Sequence, residues 1–235
     1  FEPSLILVNI SKTVIFVCMK NRDSFRHKGL RSRLVEEVRA KGINDEEVLK
    51  AMGNVPRHLF MDSAFVKFAY RDTAFPIGEG QTISQPYTVA FQTQLLEVET
   101  GHKILEVGTG SGYQAAILAE MGVEILTIER QAALHHKTSK LLLSLGYNKV
   151  KLILGDGYEG YPTYAPFDGI IITAGAPEVP QELLLQLKEG GVMVAPIGKD
   201  VQTMMRIKRL SGEEFEQESF GRFQFVPMLS GVVKK

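Results

Sequence analysis

Cysteine is nearly absent: Cys18 is the only one in 235 residues. One thiol cannot close an internal disulfide, and the paired-cysteine spacings of zinc and redox motifs are excluded with it. An excess of charge is missing too. Lysine plus arginine and aspartate plus glutamate both total 27, so the formal net charge is zero. Nucleic acid or an anionic membrane as an obligate partner would call for a cationic face, which this balance does not supply. The five histidines (His27, His58, His102, His135 and His136) form no HExxH and no i,i+4 pair, so no metal site built on histidine is expected. Long apolar runs are lacking as well. The stretch from Ser4 to Val17 is broken by Lys12 and preceded by the acidic Glu2. It is shorter than the roughly 20 residues a spanning helix needs, and no small-residue cleavage site follows it. Residues 1–22 are therefore expected to be an extension without a structural role, with Met19 resembling a start. Residues 23–235 are expected to form one domain, acting as a monomer in the cytoplasm.

What the chain does have is apolar content, 44% of residues, ample for a sizeable core. Phe25 to Lys41 reads as an amphipathic helix with Leu30, Leu34, Val35 and Val38 on one face and Gly42 as its stop. Asn44 or Asp45 can cap a second helix, and Pro56 to Phe68 reads as a third, short helical piece. Arg71 to Gln85, punctuated by Pro76, Gly78 and Gly80, reads as irregular. A loop of that length in a compact domain is more often functional than decorative.

From Tyr87 the pattern is regular. Helices at 87–98, 113–121, 132–145 and 181–187 alternate with short apolar strands at 103–107, 124–129, 150–154, 168–173 and 192–196. That alternation describes βαβ units and a parallel sheet covered on both faces. Residues 204–210 and 215–225, joined by Ser211-Gly212, read as an antiparallel edge. The expected fold is α/β and doubly wound, with N-terminal helices and an antiparallel C-terminal edge.

The chemistry gathers at strand ends. In Glu106-Val107-Gly108-Thr109-Gly110-Ser111-Gly112 alternating glycines let the backbone turn sharply and approach a ligand. The turn ends the first sheet strand, where open α/β sheets bind ligands. Two readings stand side by side. Gly110 to Ala115 satisfies the GxGxxA form of a dinucleotide site, which would make the chain an NAD-dependent oxidoreductase. Glu106 with three glycines equally suits an adenosyl cofactor carrying an amino-acid tail. Glu129 ends the next strand, where a carboxylate can accept ribose hydroxyls; it could also simply begin a helix. Asp156, between Gly155 and Gly157, could face a ligand edge or make an Asp-Gly turn. Ser84, just before Pro86, reads locally as a helix N-cap.

Four segments in order, Thr82-Ile83-Ser84-Gln85-Pro86, Leu105 to Tyr113, Gly155-Asp156-Gly157 and Phe167 to Pro177, resemble those of the protein-L-isoaspartate O-methyltransferase family. The likeness runs from about Arg22 to Phe225-Val226-Pro227. It implies a Rossmann-like class I methyltransferase fold that uses S-adenosylmethionine to methylate the α-carboxylate of isoaspartyl residues in damaged proteins and peptides. By the same resemblance Ser84 is the active-site serine. Thr82, Ile83, Gln85, Glu106, Gly108, Gly110, Gly112, Glu129, Asp156 and Gly157 match the cofactor site. Phe225, Val226 and Pro227 match a segment beside the peptide. Glu106 stands where many members carry aspartate, and Val89 lies near a position that is histidine in some. A methyltransferase acting on another carboxylate, and a binding module without turnover, are the remaining alternatives.

Overall fold

The computed structural model describes residues 23–234; the expectations for residues 1–22, Cys18 included, lie outside the described residues. Helix α1 (Phe25–Ala40) begins where the Ser24 side chain accepts the His27 N–H. It ends before Gly42, whose φ of +101° a side chain would rarely adopt. Its buried face differs from the expected one. Arg31 is buried beside Leu34 and Val38, because both carboxylate oxygens of Asp23 take its guanidinium, at 3.0 and 2.9 Å. A pattern count that treats every arginine as solvent-facing misses this position.

Helix α2 (Glu46–Asn54) starts at Asp45, which accepts the Glu47 and Val48 N–H groups. The expected helix at 56–68 is two 3-10 turns, Arg57–Phe60 and Ser63–Phe68. The segment 71–85, read as irregular, contains a small antiparallel pair, β1 (Phe75–Gly78) and β2 (Gln81–Ile83). Their turn residues Glu79 and Gly80 both have positive φ, which a reading of Gly and Pro as breakers cannot separate from a loop.

Helix α3 (Pro86–Leu96) leads into the main sheet. Its members are β3 (Lys103–Val107), β4 (Glu124–Glu129), β5 (Lys151–Leu154), β6 (Phe167–Ile172), β7 (Leu187–Ile197), β8 (Gln202–Arg209) and β9 (Phe215–Phe223), in the order β5-β4-β3-β6-β7-β8-β9. The first five run parallel, and β8 and β9 are antiparallel. Helices α4 (Tyr113–Glu120) and α5 (Ala132–Ser144) make the crossovers next to β3 and β4. Helix α6 (Gln181–Leu184) is shorter than expected, because Leu187 already pairs with Phe167 as the start of β7.

The apolar strands are apolar for a reason: Ile104, Leu105, Ile170, Ile171 and Ile172 are each fully buried, with side chains to both faces of the sheet. Each such side chain contributes about 1.5–3 kcal/mol through burial. One face packs on α3 and α4, where Leu96, Ala115 and Leu118 meet Ile104, Ile125 and Ile171, and α1 and α2 lie against those helices through Leu34, Met52, Ala90 and Ile117. The strands are added outward in one sense from β3 to β5 and in the opposite sense from β6 onward. The switch point between the parallel neighbours β3 and β6 is where such sheets bind ligands. No helix among the described residues is long and apolar enough to cross a membrane.

Candidate active site

At the C-terminal end of β3 the backbone turns at Gly108, with φ of +100°. A Cβ there would fall 2.5 Å from Thr173 Oγ1. The space is used instead by Thr173, whose hydroxyl meets the Val107 and Gly108 carbonyls at 3.0 and 2.5 Å. The ends of β3 and β6 are thereby joined at the switch point. Gly112 serves a different purpose. It caps α4, and a Cβ would press on Thr138 and Leu142 of α5 at 2.8 and 3.3 Å.

Glu129 organises the turn from β4. One carboxylate oxygen takes the Gly110 N–H at 2.8 Å and the other the Gln131 N–H at 2.9 Å. A carboxylate offers about four acceptor positions, so capacity for further donors remains on the cavity side. Glu106 behaves otherwise. It is fully buried, and neither carboxylate oxygen has a hydrogen-bond partner. Burial pushes its carboxyl up to about 8, against the opposing pull of the nearby Thr127 hydroxyl and with Glu129 adding to the rise. A buried, unpaired acid facing a cavity is costly, and a cationic ligand group would relieve it.

These residues line a cavity enclosing about 850 Å³ of empty space, its open mouth included. Thr82, Ile83 and Ser84 form one wall, and Glu106, Gly108, Gly110 and Glu129 another. Gly157 lies on the floor, where a Cβ would sit 2.4 Å from Val107 Cγ1. Val226, Pro227, Met228 and Leu229 close the far side. They are held by the backbone of Gly175, which donates to Val226 O and accepts from the Met228 N–H, both at 2.8 Å. A second groove, lined by Gln85, Tyr87, Arg222, Phe223 and Phe225, adjoins the cavity. Thr82, Ser84, Thr173 and Val226 belong to both linings.

Several expected site residues take other positions. Asp156 does not line the cavity; its carboxylate accepts the Tyr158 N–H at 2.9 Å and the N–H of Gly231. Gln85 turns its amide to Asp72 at 2.9 Å, and Gly112 and Phe225 also lie outside the cavity wall. The local reading of Ser84 as an N-cap is corrected: the cap position is Gln85, and no side chain of that residue caps the helix. Asp72 does the capping from 15 residues upstream, accepting the Tyr87 N–H at 2.7 Å. Three residues that sequence reasoning passed over matter here. Asp72 left no local signal, Thr173 was read only as a strand end, and Arg130 reaches the carbonyls of Ser230 and Gly231 at 3.1 and 3.0 Å.

One histidine cluster also emerged. Asp23, His27 and His58 bring ligand atoms within 4.8 Å of one another. The Asp23 oxygens, however, are already bound to Arg31, and His58 Nδ1 meets the Tyr70 hydroxyl at 2.7 Å. The cluster reads as a packing node of α1.

Switch-point cavity, glycine turn and strand-end carboxylates together define a Rossmann-like class I methyltransferase. The family described as protein-L-isoaspartate(D-aspartate) O-methyltransferase matches residues 29–233. A relative from Christiangramia forsetii, named protein-L-isoaspartate O-methyltransferase, is 59% identical over 88% of this chain and 98% of its own length. One of the same name from Flavobacterium johnsoniae is 55% identical over the same shares. A solved structure of a protein-L-isoaspartate O-methyltransferase superposes with a TM-score of 0.78 at 26% identity, covering 86% of this chain and 67% of that one. A Plasmodium falciparum β-aspartate methyltransferase structure in complex with S-adenosyl-L-homocysteine gives 0.74 at 25% identity, covering 85% and 98%. The chain belongs to the protein-L-isoaspartate O-methyltransferase family.

Proposed function

We propose that this chain transfers the methyl group of S-adenosylmethionine to the α-carboxylate of L-isoaspartyl residues in damaged proteins, with Ser84 orienting the acceptor. The observation that carries the reading is the position of Ser84 on the wall shared by the large cavity and the adjoining groove. A residue there can touch a group arriving from the groove while facing what the cavity holds.

The cavity suits the cofactor on its own evidence: an unpaired buried acid at Glu106 fits a cationic tail. The spare acceptor capacity of Glu129 fits hydroxyls. When bound, S-adenosylmethionine supplies an electrophilic methyl on a sulfonium whose leaving group is a neutral thioether. The acceptor needs no base, since an α-carboxylate with a pKa of about 3.3–3.7 is ionised at neutral pH. The chain's task is then alignment and exclusion of water. Ser84 donates its hydroxyl proton to one acceptor oxygen and fixes the direction of the other. Thr82 and Ile83, on β2 just before Ser84, line the cavity beside it, with Ile83 only 1% exposed. Gly110 allows close backbone approach, Gly108 and Gly157 let Thr173 and Val107 pack into the cavity wall, and Val226 and Pro227 wall off solvent. Asp156 acts indirectly, by fixing the Gly231 end of that wall. Gly112 also acts through its neighbours, whereas Gln85 and Phe225 line the groove where the acceptor would lie. Orientation of two reactants can contribute roughly 7–11 kcal/mol of rate enhancement.

The decisive experiment is a matched peptide pair, one with L-isoaspartate and one with L-aspartate, incubated with labelled cofactor and scored for base-labile methyl ester. Labelling of the isoaspartyl peptide alone is expected; equal labelling of both would reject the substrate. We take residues 23–235 to work as one unit, as a monomer in the cytoplasm. Light scattering at a mass other than that of one chain, or activity outside the cytosolic fraction, would reject those points.

A further inference from the structure

The groove beside Ser84 is neutral and aromatic over most of its length. Tyr87, Phe223 and Phe225 supply rings, and Thr82, Ser84, Thr88 and Thr173 supply hydroxyls. Among the described residues lining it, Arg222 is the single charged one. It stands near the end of β9, opposite Thr203, and is exposed.

Other arginines on this edge of the sheet are occupied. Arg206 is held by Glu97 and Glu218, at 2.5 and 3.0 Å. Arg209 donates to the carbonyls of Leu187 and Gly212, at 2.6 and 2.8 Å. Arg222 has no carboxylate within ion-pair distance among the described residues. A lone guanidinium on the wall of a groove with no other charged lining residue puts one cation within reach of a chain bound there, although the chain as a whole carries no net charge. Its planar fork of donors matches a carboxylate geometrically.

Resting on the acceptor reading given above, we propose that Arg222 selects among isoaspartyl substrates by pairing with an acidic side chain that flanks the isoaspartyl residue. The reacting carboxylate is Ser84's concern, on the shared wall. Arg222 lines only the groove and not the cavity, so it meets a neighbouring residue of the acceptor chain. The pair is solvent-exposed, so its effect is modest and is weakened by salt. Aromatic Phe223 and Phe225 on either side of Gln224 offer apolar contact to the remaining flank.

The experiment uses isoaspartyl peptides carrying a single glutamate at each flanking position in turn, with glutamine and lysine at the same position as controls. At low ionic strength one position is expected to favour glutamate over glutamine by about two- to five-fold in kcat/KM, the size an exposed ion pair supplies. Lysine there should be disfavoured. The preference should vanish in Arg222→Gln and reverse toward lysine in Arg222→Glu, with affinity for S-adenosylhomocysteine and melting temperature unchanged. It should also fade near about 0.5 M salt. A glutamate preference at no position, or one that persists in Arg222→Gln, would overturn the proposal. So would an equal loss on every peptide in Arg222→Gln, which would assign the guanidinium to the reacting carboxylate. If the unaltered enzyme labels none of the isoaspartyl peptides, the acceptor reading itself fails and this inference with it.

Discussion

The Asp72 carboxylate accepts the backbone N–H of Tyr87 at 2.7 Å, so an acid in one loop caps the helix that follows Ser84. The same carboxylate, only 2% exposed, also takes the Gln85 amide at 2.9 Å and the Lys41 ammonium at 2.6 Å. The hydrogen bond to Asp72, with a second from Glu37, holds the Lys41 ammonium above its usual pKa. The backbone around Asp72 is pinned in turn by buried Arg57, which donates to Ala69 O and Thr73 O at 3.0 and 3.3 Å. Ser84 is thus placed by residues more than ten positions away.

Asp72→Ala should therefore lower stability by about 1–2 kcal/mol, the cost of losing a helix cap. It should also lower kcat, because the corner bearing Ser84 loses its tether. Affinity for S-adenosylhomocysteine should change little, since Asp72 does not line the cavity. Urea unfolding, calorimetry and steady-state kinetics on one preparation check the three parts. Unchanged kcat would mean the corner holds without Asp72.

With Ser84 orienting the acceptor as proposed, Ser84→Ala would remove a hydrogen bond to a charged group, of about 1.5–3 kcal/mol. Turnover should fall roughly ten- to hundred-fold with cofactor affinity unchanged. Because Ser84 is not the N-cap, melting temperature should stay the same. Full activity in this variant would remove Ser84 from the reaction.

Glu129 holds the glycine turn and is proposed to bind the cofactor as well, so its replacement should show two effects. Glu129→Ala frees the Gly110 and Gln131 N–H groups and should weaken cofactor binding by about 1.5–3 kcal/mol. It should also loosen the glycine turn, read as faster amide exchange at Gly110. Glu129→Gln keeps one acceptor oxygen and should fall between. Calorimetry showing full affinity in folded Glu129→Ala would reject the ribose role.

The buried Glu106 carboxyl gives a pH signature. Its pKa rises from 4.5 to about 8 on folding, chiefly through burial. Between those values the unfolded chain has released the proton while the folded one keeps it, so stability of the ligand-free protein falls as pH rises across that window. Below it both states hold the proton and the penalty is absent. Glu106→Gln removes the titration, and its melting temperature should gain on the unaltered protein as pH rises from 5 to 8. Parallel melting curves for both proteins across that range would refute the assignment.

The parallel sheet was legible because strands buried on both faces must be apolar throughout, as Ile170-Ile171-Ile172 is. The glycine turn was legible because only backbone freedom explains three alternating glycines. The β1–β2 pair was not, since its strands are three and four residues long and carry Pro76 and Gly78. Asp72 was hidden for a different reason: its partners Lys41, Gln85 and Tyr87 lie 13 to 31 positions away, and no local pattern encodes such a pairing. Asp156 was placed near the site by its glycines, but its hydrogen bond to Gly231 crosses 75 positions.

The wall common to both chambers limits how this enzyme can be retuned. Thr82, Ser84, Thr173 and Val226 each border the cavity and the groove together, so a change of size at any of them should reshape both spaces at once. Positions bordering only the groove, such as Arg222, Phe223 and Gln224, carry no such penalty. A redesign of what the groove accepts has its freedom on β9 and the segment after it, while the shared wall stays constrained by cavity and groove together.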